Sequence, residues 1–304
     1  MSSFADSPFN ELKKMLLIIN PVSGRKTAAR HIAEIVSIFN EAGWAVTLFI
    51  TKSCGDAEKY TYLHADKFNA VVCIGGDGTL NEVVCGLISN SADIPLGYIP
   101  AGSTNVFAEC HNISSDIPTA AKSIVSGHIK EIDIGALGEK YFSFIASFGL
   151  FSRLSYTTPQ SMKNILGHSA YLLDAVKDLP KLKSERIKFI ADDCTHEGSY
   201  IFGAICNTNT VAGTFTFPTE LVDTGDGKFE VLLVHKPHNF LDFQAQVNGV
   251  FTHDYSSPYI DFFQTDSLII DAPDSLEWAI DGERYIGNSP IRVTNMKRKL
   301  KLLV

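Results

Sequence analysis

The chain has 304 residues, 45% hydrophobic and 20% charged, enough for two globular domains with cores of their own. Its formal net charge of −8 excludes non-specific binding to nucleic acid, which draws its affinity from clustered Lys and Arg. The same balance excludes a broad basic face for anionic membranes, so a bilayer is expected to meet only a local patch.

In chain order, residues 15–19 are a continuous apolar run of strand length, ended by Asn20-Pro21-Val22-Ser23-Gly24. Helical spacing follows over 27–42, with Ile32, Ile35, Val36 and Phe39 on one face, and Gly43 stops it. Residues 44–50 read as a strand, 56–63 as a helix and 70–74 as a buried strand broken by Gly75-Gly76-Asp77-Gly78. Helical spacing resumes over 79–88, and a strand over 95–99 leads into Pro100-Ala101-Gly102. This alternation predicts a mostly parallel sheet covered on both faces.

Near Gly135 the pattern changes to short strands over 141–146, 186–190, 198–207, 229–235, 259–265, 267–271, 277–280 and 291–295. Asp226-Gly227 and Asp281-Gly282 are among the turn signals between them, and 169–179 reads as a helix. The expected architecture is α/β: an α/β domain over 13–136, then an antiparallel β-sandwich or curled sheet over 137–304. The last residues are expected to pack back on the first domain, and a ligand is expected in a cleft between the two.

The six cysteines form no C-x-x-C pair and have no zinc-ligand spacing, so reduced thiols are expected. Residues 1–14 lack the apolar stretch of a secretory signal, and no apolar run is long enough to span a bilayer. The chain is therefore expected in the cytoplasm. The nine histidines are not expected to cluster, and there is no nucleophile elbow.

The chemistry concentrates in three strand–turn–helix loops, 20–24, 75–79 and 100–105. Glycines there let backbone N–H groups approach a polyphosphate without Cβ clashes, and the helix start that follows adds unpaired donors and a favourable dipole. In open α/β sheets such loops lie beyond the carboxyl ends of the strands, where ligands bind.

Asn20-Pro21-Val22-Ser23-Gly24, then Gly75-Gly76-Asp77-Gly78-Thr79-Leu80-Asn81-Glu82-Val83, then Pro100-Ala101-Gly102-Ser103-Thr104-Asn105 resemble, in that order, the motifs of the diacylglycerol kinase catalytic superfamily. That group includes bacterial lipid kinases and eukaryotic diacylglycerol, sphingosine and ceramide kinases. Thr51 with Gly55-Asp56-Ala57 is similar to a segment near the family's nucleotide site. Asp133 is similar to an acidic position facing the phosphoacceptor, and Asp281-Gly282-Glu283 to a late D-G-E. The match runs in motif order from about Lys13 through nearly the whole chain.

The resemblance implies an NAD-kinase-like α/β domain, a β-sandwich domain, ATP in the cleft, Mg2+ as cofactor and a lipid hydroxyl as acceptor at a membrane surface. It implies that Asn20, Ser23, Gly24, Thr51, Gly75, Gly76, Gly78, Thr79, Glu82, Gly102, Ser103, Thr104 and Asn105 form the nucleotide site. Asp77 would orient the metal or the attacking hydroxyl. Glu283, helped by Asp281, would be the general base, Asp133 would face the substrate, and Asp226 would hold a structural Mg2+. A homodimer is also entertained.

Two departures bear on the acceptor. Ser103 stands where diacylglycerol kinases carry Thr, and Val106 where bacterial members carry a metal-organising Asp. Sphingosine and ceramide kinases share both changes, so the expectation shifts from plain diacylglycerol toward a sphingoid base, a ceramide or a prenol. Rival readings are an NAD kinase or 6-phosphofructokinase, which share the G-G-D-G turn, and a non-catalytic lipid or nucleotide sensor. Asp226-Gly227 and Asp281-Gly282 also read as plain hairpin turns, and Ser23 as a helix cap. Lys297-Arg298-Lys299-Leu300-Lys301 is a basic patch or a solvated face. Phe148, Leu150, Phe151, Leu154, Ile165 and Leu166 are acyl-pocket or ordinary core residues.

Overall fold

The computed structural model describes residues 12–24, 28–150, 183–208, 210–211, 215–218 and 222–304. The helix expected over 169–179, and Phe151, Leu154, Ile165 and Leu166, lie outside the described residues. The chain divides into two compact units, one up to Ile132 together with Lys299–Val304, the other Asp133–Arg298.

In the first unit β1 (Lys13–Ile19), α1 (Ile32–Glu41), β2 (Trp44–Ile50), α2 (Asp56–His64), β3 (Ala70–Gly75), α3 (Asp77–Asn90) and β4 (Leu96–Pro100) alternate. Then come α4 (Val106–Cys110), α5 (Ile117–Ser126) and β5 (Ile129–Leu137), which crosses into the second unit. The strands pair in parallel in the order β4-β3-β1-β2. β1 and β3 are apolar without alternation because both of their faces are covered, and Met15–Ile19 and Ala70–Ile74 are all fully buried. β1 lies between β2 and β3, so the chain leaves it first to one side and later to the other. The loops after β1 and β3 thus flank the topological switch point.

Three local expectations change. The helix expected from residue 27 begins as α1 at Ile32, behind a 3-10 turn at Ala28–His31. α3 starts at Asp77, two residues before the apolar spacing does. α5 was not anticipated, although its signals are present: Asp116 accepts from Thr119 N–H, Pro118 sits in the first turn and Gly127 ends it at φ +79°.

The second unit contains β6 (Lys140–Phe142), β7 (Ile145–Gly149), β8 (Glu185–Ala191), β9 (Thr195–Cys206), β10 (Thr210–Val211), β11 (Phe215–Thr216) and β12 (Phe229–His235). It continues with α6 (Phe240–Thr252), β13 (Ile260–Thr265), β14 (Ser267–Asp271), β15 (Glu277–Ile280), β16 (Glu283–Ile286) and β17 (Ile291–Leu303). The pairing is antiparallel. The first half of β9 pairs with β8 and its second half with both β7 and β12, so one long strand organises the sheet.

Its core gathers Phe142, Phe148, Phe189, Tyr200, Phe229 and Trp278. Phe148 meets Trp278 edge-on at 5.2 Å, so it belongs to this core. The single strand expected over 141–146 divides because the Asp281 carboxylate captures the N–H groups of Ser143, Phe144 and Ile145. α6 was missed, though Asn239 caps it by accepting from Asp242 N–H. The strand expected over 291–295 runs on to Leu303 as β17. That strand absorbs the basic run: Leu300 is buried, and Lys301 pairs with Asp93 at 2.7 Å.

Gly203 of β9 lies under the Phe148 ring, which an added Cβ would strike. Gly203→Ala is therefore expected to destabilise the protein by about 1–3 kcal/mol in denaturant titration. Glu230 is buried, and burial raises its carboxyl to about 8, opposed by a hydrogen bond from Gln264. An unfolded chain ionises this group near its ordinary value, so the folded state loses stability as pH rises toward the raised value. Glu230→Gln, which stays neutral and keeps the acceptor oxygen, is expected to raise the melting temperature at alkaline pH and to change little under acid conditions.

Candidate functional site

The turn after β1 is shaped by Asn20. Its side-chain oxygen accepts from Val22 N–H at 3.1 Å, its Nδ2 donates to Thr79 Oγ1 at 3.0 Å, and its backbone N–H donates to Ile74 O at 3.0 Å. Asn20 thus ties the first loop to both ends of the second. Gly24, at φ +50°, backs onto the third loop so closely that a Cβ there would overlap Ala101 O and the Gly102 carbonyl. Gly76 and Gly102 meet backbone to backbone, since a Cβ on Gly102 would lie 2.5 Å from Gly76 Cα. Ala101 N–H also donates to Gly75 O at 2.7 Å. Asn105 closes the third loop at φ +57°, accepting from Gly102 N–H at 2.9 Å and donating back to Gly102 O at 3.1 Å. Beneath them the buried Tyr98 hydroxyl bonds both Gly75 O and Asn105 Oδ1. Tyr98 was not anticipated, because a Tyr within a strand gives no sign that its hydroxyl serves two loops.

The three loops therefore form one backbone surface at the carboxyl edge of the sheet. α3 begins there without a side-chain cap, leaving its first-turn N–H groups to face the loops. Gly78, Ser103 and Thr104 are exposed at this surface, whereas Thr79 is buried and fixed by Asn20. Glycine backbone, two hydroxyls and an uncapped helix start of this kind form a cradle for phosphate oxygens.

Asp77 holds backbone as well as standing at the cradle. It is 9% exposed, and its two oxygens accept from Val106 N–H at 3.0 Å and Phe107 N–H at 3.2 Å, so it caps α4 from a distance. Burial pushes its carboxyl above the usual range, while the amide donors pull the other way. Val106 offers its N–H to Asp77 and turns its side chain into the core, 2% exposed. Thr51 is also buried, its backbone N–H donating to Ile19 O at 2.9 Å. Glu82 accepts from Gly55 N–H at 2.8 Å and Ala57 N–H at 3.1 Å.

Among the described residues no group of three or more His, Cys, Asp or Glu is arranged to hold a metal. The donors fit an ion bound mainly through phosphate oxygens and water, as Mg2+ favours. Asp77 stands at the start of α3 beside these loops, with its oxygens shared among the backbone amides of residues 105–107 and its own.

In the second unit Asp133 is fully buried, contrary to a substrate-facing position. It accepts from Gly227 N–H and Arg298 N–H, both at 2.7 Å, and burial raises its carboxyl. Asp226 accepts from Lys228 N–H at 2.8 Å within its own turn. Asp281, expected beside the base, is 3% exposed and receives the three N–H groups around residue 144. Glu283, at the start of β16, is exposed. A cluster that the sequence did not show joins His196, His235 and Tyr200 to the Asp261 carboxylate, at 3.2, 2.8 and 3.0 Å. These residues are separated by turns, so only strand pairing brings them together.

Because Asp77 and Asp281 satisfy buried backbone donors, neither is expected to tolerate truncation. Asp77→Ala and Asp281→Ala should each cost about 1–3 kcal/mol or more in thermal or chemical melts. Native-like stability of Asp77→Ala would reject its capping role.

The sequence profile of the diacylglycerol kinase catalytic domain matches residues 14–137. A diacylglycerol kinase of Bacillus subtilis is 29% identical over 300 residues, covering 96% of this chain and 97% of that protein. One from Staphylococcus saprophyticus is 28% identical, covering 95% of each. In fold, the crystal structure of a diacylglycerol kinase from Bacillus anthracis aligns with a TM-score of 0.75 at 21% identity, covering 96% of this chain and 97% of that one. With the glycine loops in the family's order, the chain carries a diacylglycerol kinase catalytic domain over residues 14–137 and is similar to the family's bacterial members along its length.

Proposed function

We propose that the protein is an ATP-dependent lipid kinase, transferring the γ-phosphoryl group to a lipid hydroxyl. The carrying observation is the convergence of the Asn20–Gly24, Gly75–Thr79 and Gly102–Asn105 loops on the uncapped start of α3. Phosphoryl transfer asks for positioning and charge neutralisation more than for covalent chemistry, and such a cradle supplies both. The loop N–H groups, Ser103 and Thr104 take the phosphate oxygens, and Asn20 holds the first loop in register. Bound Mg2+, held through the phosphates with Asp77 as its protein carboxylate, would neutralise charge on the transferring group.

The relatives' names favour a lipid acceptor over NAD or fructose 6-phosphate. They also bring diacylglycerol back beside sphingoid, ceramide and prenol acceptors. Val106 does not discriminate among these acceptors, because its side chain is packed in the core. Among the described residues no helix is long and apolar enough to cross a membrane, and a peripheral encounter with the lipid surface fits this reading. Homodimerisation is part of the proposal only as a state to be measured.

Transfer of labelled phosphate from ATP to an unfractionated lipid extract, with the product identified by mass, tests the reading. A phosphorylated lipid is the expected product. Turnover on NAD or fructose 6-phosphate with none on lipid would overturn it.

Glu283 is proposed as the group that accepts the hydroxyl proton, supported by its exposure and its place in the D-G-E motif. Asp281 acts behind it by fixing the turn. Glu283→Gln is expected to lower kcat by about 10²–10⁴-fold with ATP affinity retained. Near-native turnover at saturating lipid would remove the base assignment, and partial rescue by excess Mg2+ would reassign Glu283 to the metal.

A further inference from the structure

Glu82, Gly86 and Asn90 lie four residues apart on one face of α3, and each engages α2. At the near end the two Glu82 oxygens accept one each from Gly55 N–H and Ala57 N–H, at 2.8 and 3.1 Å. In the middle Gly86 lets the helices approach until an added Cβ would lie 2.6 Å from both Glu58 O and Thr61 Cβ. At the far end Asn90 Nδ2 donates to Tyr62 O at 2.6 Å. The start of α2 thus lies beside the second turn of α3, and the two helices run side by side in one direction.

Glu82 also supplies what α2 lacks. The N-cap of α2 is Gly55 at φ +84°, which has no side chain with which to cap its own helix. A carboxylate from α3 fills that role and sets negative charge at the positive end of the helix. Asp56 completes the turn, accepting from Lys52 N–H at 2.8 Å, Ser53 N–H at 2.9 Å and Ser53 Oγ at 3.0 Å. Four backbone donors between residues 52 and 57 therefore end on two carboxylates. The same turn is tied to β1 by Thr51 N–H on Ile19 O, next to Asn20, whose side chain grips Thr79.

We infer that Glu82 is a positioning residue rather than a nucleotide ligand: its carboxylate locks the turn at 52–57 against α3 and so holds a fourth wall of the phosphate cradle in place. This rests on the nucleotide-binding reading above, but the clamp itself is visible without nucleotide. Removing the charge leaves the helix pair and loosens the wall. The effect should therefore appear at the Gly55 and Ala57 amides and, through them, in ATP binding.

The test uses the full chain with Glu82→Gln, and Asn90→Ala as the control at the far end of the stripe. In Glu82→Gln, hydrogen exchange at Gly55 and Ala57 should quicken about tenfold and the Kd for ATP rise about tenfold, the equivalent of one charge-assisted hydrogen bond. Exchange in the core strand β3 should stay slow. Asn90→Ala should loosen Tyr62 and Leu63 while leaving the Gly55 amide and the ATP Kd unchanged. Glu82→Asp, with the charge kept and the reach shortened, should fall between wild type and Gln, and serves if Gln does not fold. Weaker ATP binding with Gly55 and Ala57 still protected would overturn the inference and make Glu82 a direct ligand. Faster exchange with an unchanged Kd would reduce it to helix packing. Failure of the wild-type chain to bind ATP would instead count against the kinase reading, and exchange alone would then decide the clamp.

Discussion

Backbone crowding at three glycines sets the terms for the nucleotide-binding unit. Gly24, Gly76 and Gly102 sit where loops from three strands press together, and at Gly24 and Gly102 an added Cβ would overlap main-chain atoms of another loop. Contact this close requires glycine, and it places N–H groups from separate parts of the chain on one surface. The parallel sheet makes the arrangement available, because the loops after β1, β3 and β4 all emerge at its carboxyl edge. Asn20 and Tyr98 then fix it with side-chain hydrogen bonds that cross between loops.

A second constraint recurs through both units. The acidic residues that stand out in the sequence spend their oxygens on backbone amides: Asp77 on α4, Glu82 on α2, Asp133 on the turn at Gly227, and Asp281 on the break between β6 and β7. A buried N–H without a partner is costly, and a carboxylate is a strong acceptor for it. Motif acids can thus be indispensable through the backbone they hold, and the burial of Asp133 and Asp281 makes this their first role. Glu283 differs in being exposed.

Much of the scaffold was legible in advance where the signal was local. β2, β12, β14 and β15 fall where strand-length apolar or alternating runs ended in turn residues. The boundaries that moved did so for tertiary reasons. The 141–146 run broke because a carboxylate more than a hundred residues away takes its amides, and 291–295 lengthened because residues beyond it continue as strand to pair with β4.

The sequence by itself determined the class of fold, the order of the glycine loops and hence the resemblance to the family, because glycine at a phosphate turn and apolar runs at strand length are local necessities. Only the tertiary structure decided what each polar side chain is for. It buried Asp77 against α4, gave Glu82 to the start of α2, and brought His196, His235, Tyr200 and Asp261 together. The physical reason is that a carboxylate's role depends on which donors lie within 3 Å of it, and those donors arrive from elements far away in the chain.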